Sequence, residues 1–215
     1  MADPSVPDAP LAPAPPSDRK ASTKLEESIF AATQRLMEEQ AFGDLSVAQI
    51  LKEAEVSRAT FYYYFSSKFT VLVGLLDRAM EDVFATVQPF LLRPSHEEPR
   101  VALERSLSAV TDAWRRHRVV LQATNHHWHA VPELRALWLQ IVERFVVAGA
   151  EEIEREREAG LLQTDVPGRE LAAALFWGTE RVLYVAGLGV EGSFDDESST
   201  IEALVSMWVG TLYGR

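Results

Sequence analysis

The stretch Val56 to Lys68 reads VSRATFYYYFSSK: three consecutive tyrosines between two phenylalanines, with a cation near each end at Arg58 and Lys68. No carboxylate lies between Val56 and Leu76, although the 215-residue chain carries a net charge of -11. Successive helical positions point in three directions, so three adjacent tyrosines on one helix cannot all enter one core. At least one of them faces water or a partner. Ser57 is a good N-cap for this short helix, and Phe61 and Phe65, four apart, give it one buried face.

The pattern upstream supplies the rest of a unit. Leu25, Ile29, Ala32, Leu36 and Met37 recur at three- and four-residue steps, which predicts an amphipathic helix over about 24–41. FGDLS breaks it, with Gly43 free to take a left-handed conformation after the helix. Ser46 caps a second helix to about 53 that buries Val47, Ile50 and Leu51. Two short helices joined by a three- to four-residue turn and braced by a preceding helix make a helix-turn-helix. Ile50, Val56, Phe61 and Phe65 hold the three together, leaving Arg58, Ala59, Tyr62, Tyr63 and Tyr64 to point elsewhere. The front half of the second short helix enters the major groove in such units. There Arg58 can fork onto a guanine edge or a phosphate. An acid in this run would oppose a duplex carrying one charge per roughly 1.7 Å, which accounts for the missing carboxylates.

The residues SVAQILKEAEVSRATFYYYFSSKFTVL closely resemble the N-terminal signature of the TetR family of transcriptional regulators. The run Thr60 to Phe65 followed by Lys68 is the specific part. The resemblance implies an all-α fold, a three-helix DNA-binding head and a larger ligand-binding, dimerising body. It implies phosphate contacts at Ser46, Thr60, Tyr62, Tyr63 and Lys68, base contacts at Arg58, Ala59 and Tyr64, and places Ser57 in the same surface. The family usually has glycine where this chain has Glu55. If the turn needs a positive φ there, glutamate costs about 1 kcal/mol.

Further along, helices are expected over about 67–92 (capped at Ser66 or Ser67 and bent by Pro89), 98–116, 118–127, 132–160, 169–188 and 198–213. No alternating pattern of a strand appears. The proline- and alanine-rich residues 1–22 read as a disordered tail, 23–66 as the head, and 67–215 as the body. Without cysteine, the chain forms neither disulfides nor thiolate metal sites, which fits a cytoplasmic protein. No apolar run approaches the roughly 18 residues of a membrane span. No phosphate loop, nucleophile elbow or paired carboxylates suggest an enzyme or a cofactor. In NHHWH, residues 125–129, adjacent histidines point apart and do not make a metal helix.

Four of the five tryptophans lie between Trp114 and Trp177, and the fifth is Trp208. Such rings either fill a helical core or line an apolar cavity. A closer similarity to one family member with a long hydrophobic channel implies the second. Carried over by position, its lining is Leu103, Leu107, Val110, Trp114, Trp138, Phe145, Phe176, Thr179, Glu180, Tyr184 and Trp208. Glu180 is the odd member, fitted either to a structural salt bridge or to a ligand. The last helix carries Ile201, Leu204, Val205, Trp208 and Leu212 on one face, with small Ala172, Ala173 and Gly178 in its partner, as a homodimer interface would. The expectation is a dimeric repressor that binds double-stranded operator DNA and is released by a hydrophobic small molecule. The alternatives are an activator on the same scaffold, or a helical binding or enzymatic domain with a vestigial head.

Overall fold

The computed structural model describes residues 16–87, 97–189, 194 and 196–214. Among them every regular element is helical: α1 (Pro16–Glu39), a 3₁₀ turn (Phe42–Asp44), α2 (Val47–Ala54), α3 (Arg58–Tyr64), α4 (Lys68–Val87), α5 (Pro99–Arg116), α6 (Arg118–His127), α7 (Pro132–Glu158), α8 (Gly168–Gly187) and α9 (Glu197–Tyr213). Most boundaries fall within one or two residues of the sequence expectation. The first helix differs: it starts at Pro16, not near residue 24, so residues 16–22 continue it. The dense prolines end at Pro16, and proline fits the first turn of a helix. Residues 1–15 and Pro89 lie outside the described residues.

The head forms as its apolar spacing dictates. Ile29 and Phe30 of α1, Ile50 of α2, and Phe61 and Phe65 at the end of α3 are all buried, and the Phe30 and Phe65 rings meet edge to face at 5.3 Å. Ser46 and Gln49 make a reciprocal capping box at the start of α2, which satisfies two orphan N–H groups. Ser57 Oγ accepts from Thr60 N at 3.0 Å and caps α3. Ser67 Oγ accepts from Thr70 N at 3.3 Å and so caps α4. Gly43 sits inside the 3₁₀ turn, and its φ is not positive. The left-handed residue of the head is Glu55, at φ 55 and ψ 36, closing α2 with its own N–H and that of Val56 turned back onto Leu51. Because an L-residue pays about 1 kcal/mol in this region, Glu55→Gly raises unfolding stability by about 0.5–1 kcal/mol, after glycine's extra unfolded-state freedom is counted. Urea titration of the two proteins checks this, and an unchanged or lower midpoint would show that Glu55 is not strained.

One helix joins head to body. α4 packs against α1 on the head side and against α5, α6 and α7 in the body. Its Gly74 lets the Phe30 ring lie on the helix backbone: a Cβ there would stand 2.6 Å from Phe30 Cζ. Arg78, one turn on, covers the same ring at 4.2 Å and pairs with Glu27 at 2.7 Å. Within the body α8 runs along α7, and α9 along α5 and α8. The charged end of α7 does more than face water. Glu154 Oε1 accepts from Gly168 N at 2.7 Å, and Arg157 donates to the carbonyls of Thr164 and Val166, so this end clamps the loop into α8.

The last helix corrects an expectation. Leu204, Val205 and Leu212 are buried inside the protomer, because the apolar face of α9 packs on α5 and α8. They do not face a partner. The exposed side of α9 carries Ala203, Ser206 and Gly210 instead.

Candidate nucleic-acid interface and internal cavity

At the tip of the head, the capped start of α3 presents Arg58 and Ala59 to solvent, with Tyr63 81% exposed and Tyr62 45%. The Arg58 guanidinium lies over the Tyr62 ring at 5.5 Å. That contact holds its fork beside the helix start without a carboxylate partner. Tyr64 is half-buried against the core, its ring edge-on to Tyr63 at 4.9 Å. Thr60 is half-buried, its hydroxyl 2.8 Å from that of Ser57. Ser46, exposed at the start of α2, completes one continuous polar and aromatic surface.

Lys68 turns inward beside it. Its ammonium donates to the carbonyls of Phe42 at 3.1 Å, Gly43 at 2.7 Å and Leu45 at 2.7 Å. A lysine has three N–H donors, and all three are used to close the loop between α1 and α2. Burial holds its pKa below the ordinary lysine value, with Asp44 offsetting part of this. In the protein without DNA the three donors of Lys68 thus serve the loop, where the sequence led one to expect a phosphate contact. The body touches this loop: His127, at the end of α6, stacks edge-on against Phe42 at 5.6 Å and Phe69 at 5.4 Å.

The body encloses two adjoining chambers of about 110 and 120 Å3. Trp114, Trp138, Phe145, Phe176, Thr179 and Glu180 line the inner one, Leu103 lines the outer one, and Leu107, Val110 and Trp208 line both. Trp208 Nε1 donates to Thr179 Oγ1 at 2.9 Å, which fixes the indole between the chambers. Tyr184 does not belong. One turn beyond Glu180, it borders a separate groove beside Phe42 and His127, with Arg181 over its ring at 5.0 Å. Sequence reasoning missed Met80 and Val83, through which α4 itself forms part of the inner wall, and Ala172 and Leu183 of α8. Their apolar spacing marks them as buried, but nothing in it separates cavity lining from solid core. Gly149 borders both chambers, and a Cβ there would meet only Ala172 Cβ, at 3.4 Å.

Glu180 is 3% exposed, and neither carboxylate oxygen has a hydrogen-bond partner. Burial pushes its carboxyl above the usual carboxylate range, and Asn125 and Arg181 offset part of this. The nearest cation, Arg181 Nη2, is 3.9 Å away on a side chain that is mostly in solvent. Among the described residues no group of His, Asp and Glu could hold a metal ion, and no helix is long and apolar enough to cross a membrane.

A capped helix-turn-helix joined by one unbroken helix to a body with an internal apolar cavity defines a DNA-binding regulator. The chain belongs to the TetR family of transcriptional regulators: residues 29–73 match the model of bacterial regulatory proteins of the tetR family, and residues 103–214 match the C-terminal domain of the transcriptional regulator EthR. It is 30% identical over 190 residues to the HTH-type transcriptional regulator EthR of Mycobacterium tuberculosis, covering 88% of each chain. Against the regulator of the same name from Mycolicibacterium smegmatis the identity is 28% over 198 residues, 92% of this chain and 90% of that one. The fold matches a putative transcriptional regulator from Saccharomonospora viridis solved in complex with choline, at a TM-score of 0.69 and 20% identity, covering 92% of this chain and 100% of that one. It also matches the fatty acid degradation regulator FadR from Bacillus halodurans, at a TM-score of 0.69 and 15% identity, covering 93% and 97%. These relatives carry the names of regulators, not of enzymes.

Proposed function

We propose that the chain works as a homodimeric repressor that leaves its operator when an apolar small molecule enters the body cavity. The observation that carries this reading is the course of α4. It starts four residues after the end of α3, and its Met80 and Val83 wall the inner chamber. A ligand seated there touches the same rod that positions the reading helix. If it prefers the protomers with α4 displaced, by about 1–3 kcal/mol, operator affinity falls roughly 5- to 150-fold.

In the dimer two reading helices lie about 34–36 Å apart on a pseudo-palindromic operator. Small exposed residues on the outer sides of α8 and α9, Ala174, Ala203, Ser206 and Gly210, suit close helix-to-helix contact between copies. Arg58, Ala59 and Tyr64 approach bases, while Ser46, Ser57, Thr60, Tyr62 and Tyr63 hold phosphates and set register. Such a regulator acts in the cytoplasm, where its DNA is.

The test is binding to DNA flanking the chain's own gene, with two variants read together. Arg58→Ala costs about 1–3 kcal/mol of specific affinity and relaxes preference at one base position. Lys68→Ala leaves the salt dependence of binding unchanged and lowers the stability of the head by about 2 kcal/mol, since its charged hydrogen bonds are internal. A uniform loss across operator variants would move Arg58 to the phosphate backbone. A salt slope lower by about one unit would return Lys68 to a phosphate.

A further inference from the structure

The inner chamber contains one buried carboxyl, Glu180, whose only ion-pair partner among the described residues is the solvent-facing Arg181, at 3.9 Å. Both Glu180 oxygens are buried without a hydrogen bond. No lysine, arginine or histidine is among the chamber's lining. Arg181 stays outside, 56% exposed and stacked over Tyr184. The Asn125 amide donates to the Leu121 carbonyl at 3.3 Å and only partly offsets the effect of burial on Glu180. A leucine or glutamine would fill the same space without a buried, weakly paired carboxyl, so the glutamate is costly for packing alone. A carboxyl made unfavourable in this way, inside a cavity, marks a ligand contact.

The walls beside it are aromatic. The Phe176 ring lies 5.6 Å from that of Phe145 and 6.5 Å from that of Trp138, and Trp208 closes the other side. Ring faces attract cations, most strongly where water is excluded. A buried carboxyl with only a distant, solvent-facing cation and a ring-lined wall are satisfied by the same chemistry. We infer that the effector carries an ammonium head that pairs with Glu180 among these rings, and an apolar tail that passes Gly149 into the outer chamber. The tail meets Leu103, Ile153 and Leu162 there. The indole N–H groups of Trp114 and Trp138, also buried without acceptors, accommodate one carbonyl or ether oxygen on the same molecule. This inference rests on the cavity being the effector site.

The experiment titrates the full chain with octylamine, 1-octanol and N-octylacetamide, followed by tryptophan fluorescence. Octylamine is expected to bind at least about 30-fold more tightly than 1-octanol, as a buried charge pair requires. Glu180→Gln is expected to erase that preference, to keep the affinity for 1-octanol, and to melt no lower than the parent. Equal binding of amine and alcohol, or an amine preference that survives in Glu180→Gln, overturns the inference. Binding of the neutral probes alone overturns it too, but leaves the cavity as the effector site. If none of the three binds, both readings fall.

Discussion

Leu204→Glu unfolds the protomer, whereas Ala203→Arg, one residue earlier on the same helix, leaves it folded and turns the dimer into monomers. Leu204 is 1% exposed and Val205 0%, packed where α9 meets α5 and α8. Losing a buried leucine there costs about 2–5 kcal/mol. A carboxylate left without a partner in the same place adds several more. Their sum approaches or exceeds the roughly 5–15 kcal/mol that holds a domain of this kind together. Ala203 points the other way, into solvent within the protomer, and arginine is nearly as good a helix former as alanine. Its charge matters only if a second copy covers it. Circular dichroism separates folded from unfolded chains, and light scattering separates monomer from dimer. A folded, monomeric Leu204→Glu would put that leucine between subunits. A dimeric Ala203→Arg would move the interface off the outer side of α9.

Gly149→Phe abolishes the response to effector while operator binding without effector persists. Gly149 is the one residue of α7 that borders both chambers. Its Cβ direction is open enough to accept a side chain, and leaving glycine favours the helix. The ring then occupies the neck that an elongated ligand must cross. Overpacking of this kind costs about 1–3 kcal/mol, which a folded dimer tolerates. The fold change in operator affinity on adding an amine, amide or ester that releases the parent, some 5- to 150-fold, is expected to fall to about one. Electrophoretic mobility shift with and without the compound reads it directly. A variant that still responds like its parent would place the effector site outside these chambers.

The head was legible because its signals are local. Ser46 and Ser57 cap helices within three residues of themselves, and the turn between them admits few conformations, so spacing alone shows the motif. The positive φ at Glu55 was signalled only by the glycine that the family usually carries there. The internal hydrogen bonds of Lys68 were not legible, because its partners lie 23 to 26 residues away. A lysine beside a DNA-reading helix looks the same in sequence whether it points to a phosphate or to carbonyls. The body was legible as helices and as an aromatic interior, but not as surfaces. An apolar face at Leu204 and Val205 suits a subunit contact as well as a core, and only the packing of α5 decides. Tyr184 shares a helix face with Glu180 at i, i+4, yet the cavity ends within that turn.

The position of Met80 on α4 also sets a mechanical ratio. Twelve residues separate it from Lys68, which at 1.5 Å per residue is a lever of about 18 Å. Pivoting such a rod by about 5° at the chamber carries its other end roughly 1.6 Å. Hydrogen bonds to base edges hold only between about 2.7 and 3.2 Å, so this small sweep is enough to undo them. A ligand that turns α4 by this much about the chamber wall therefore disengages the whole reading helix through the rod alone.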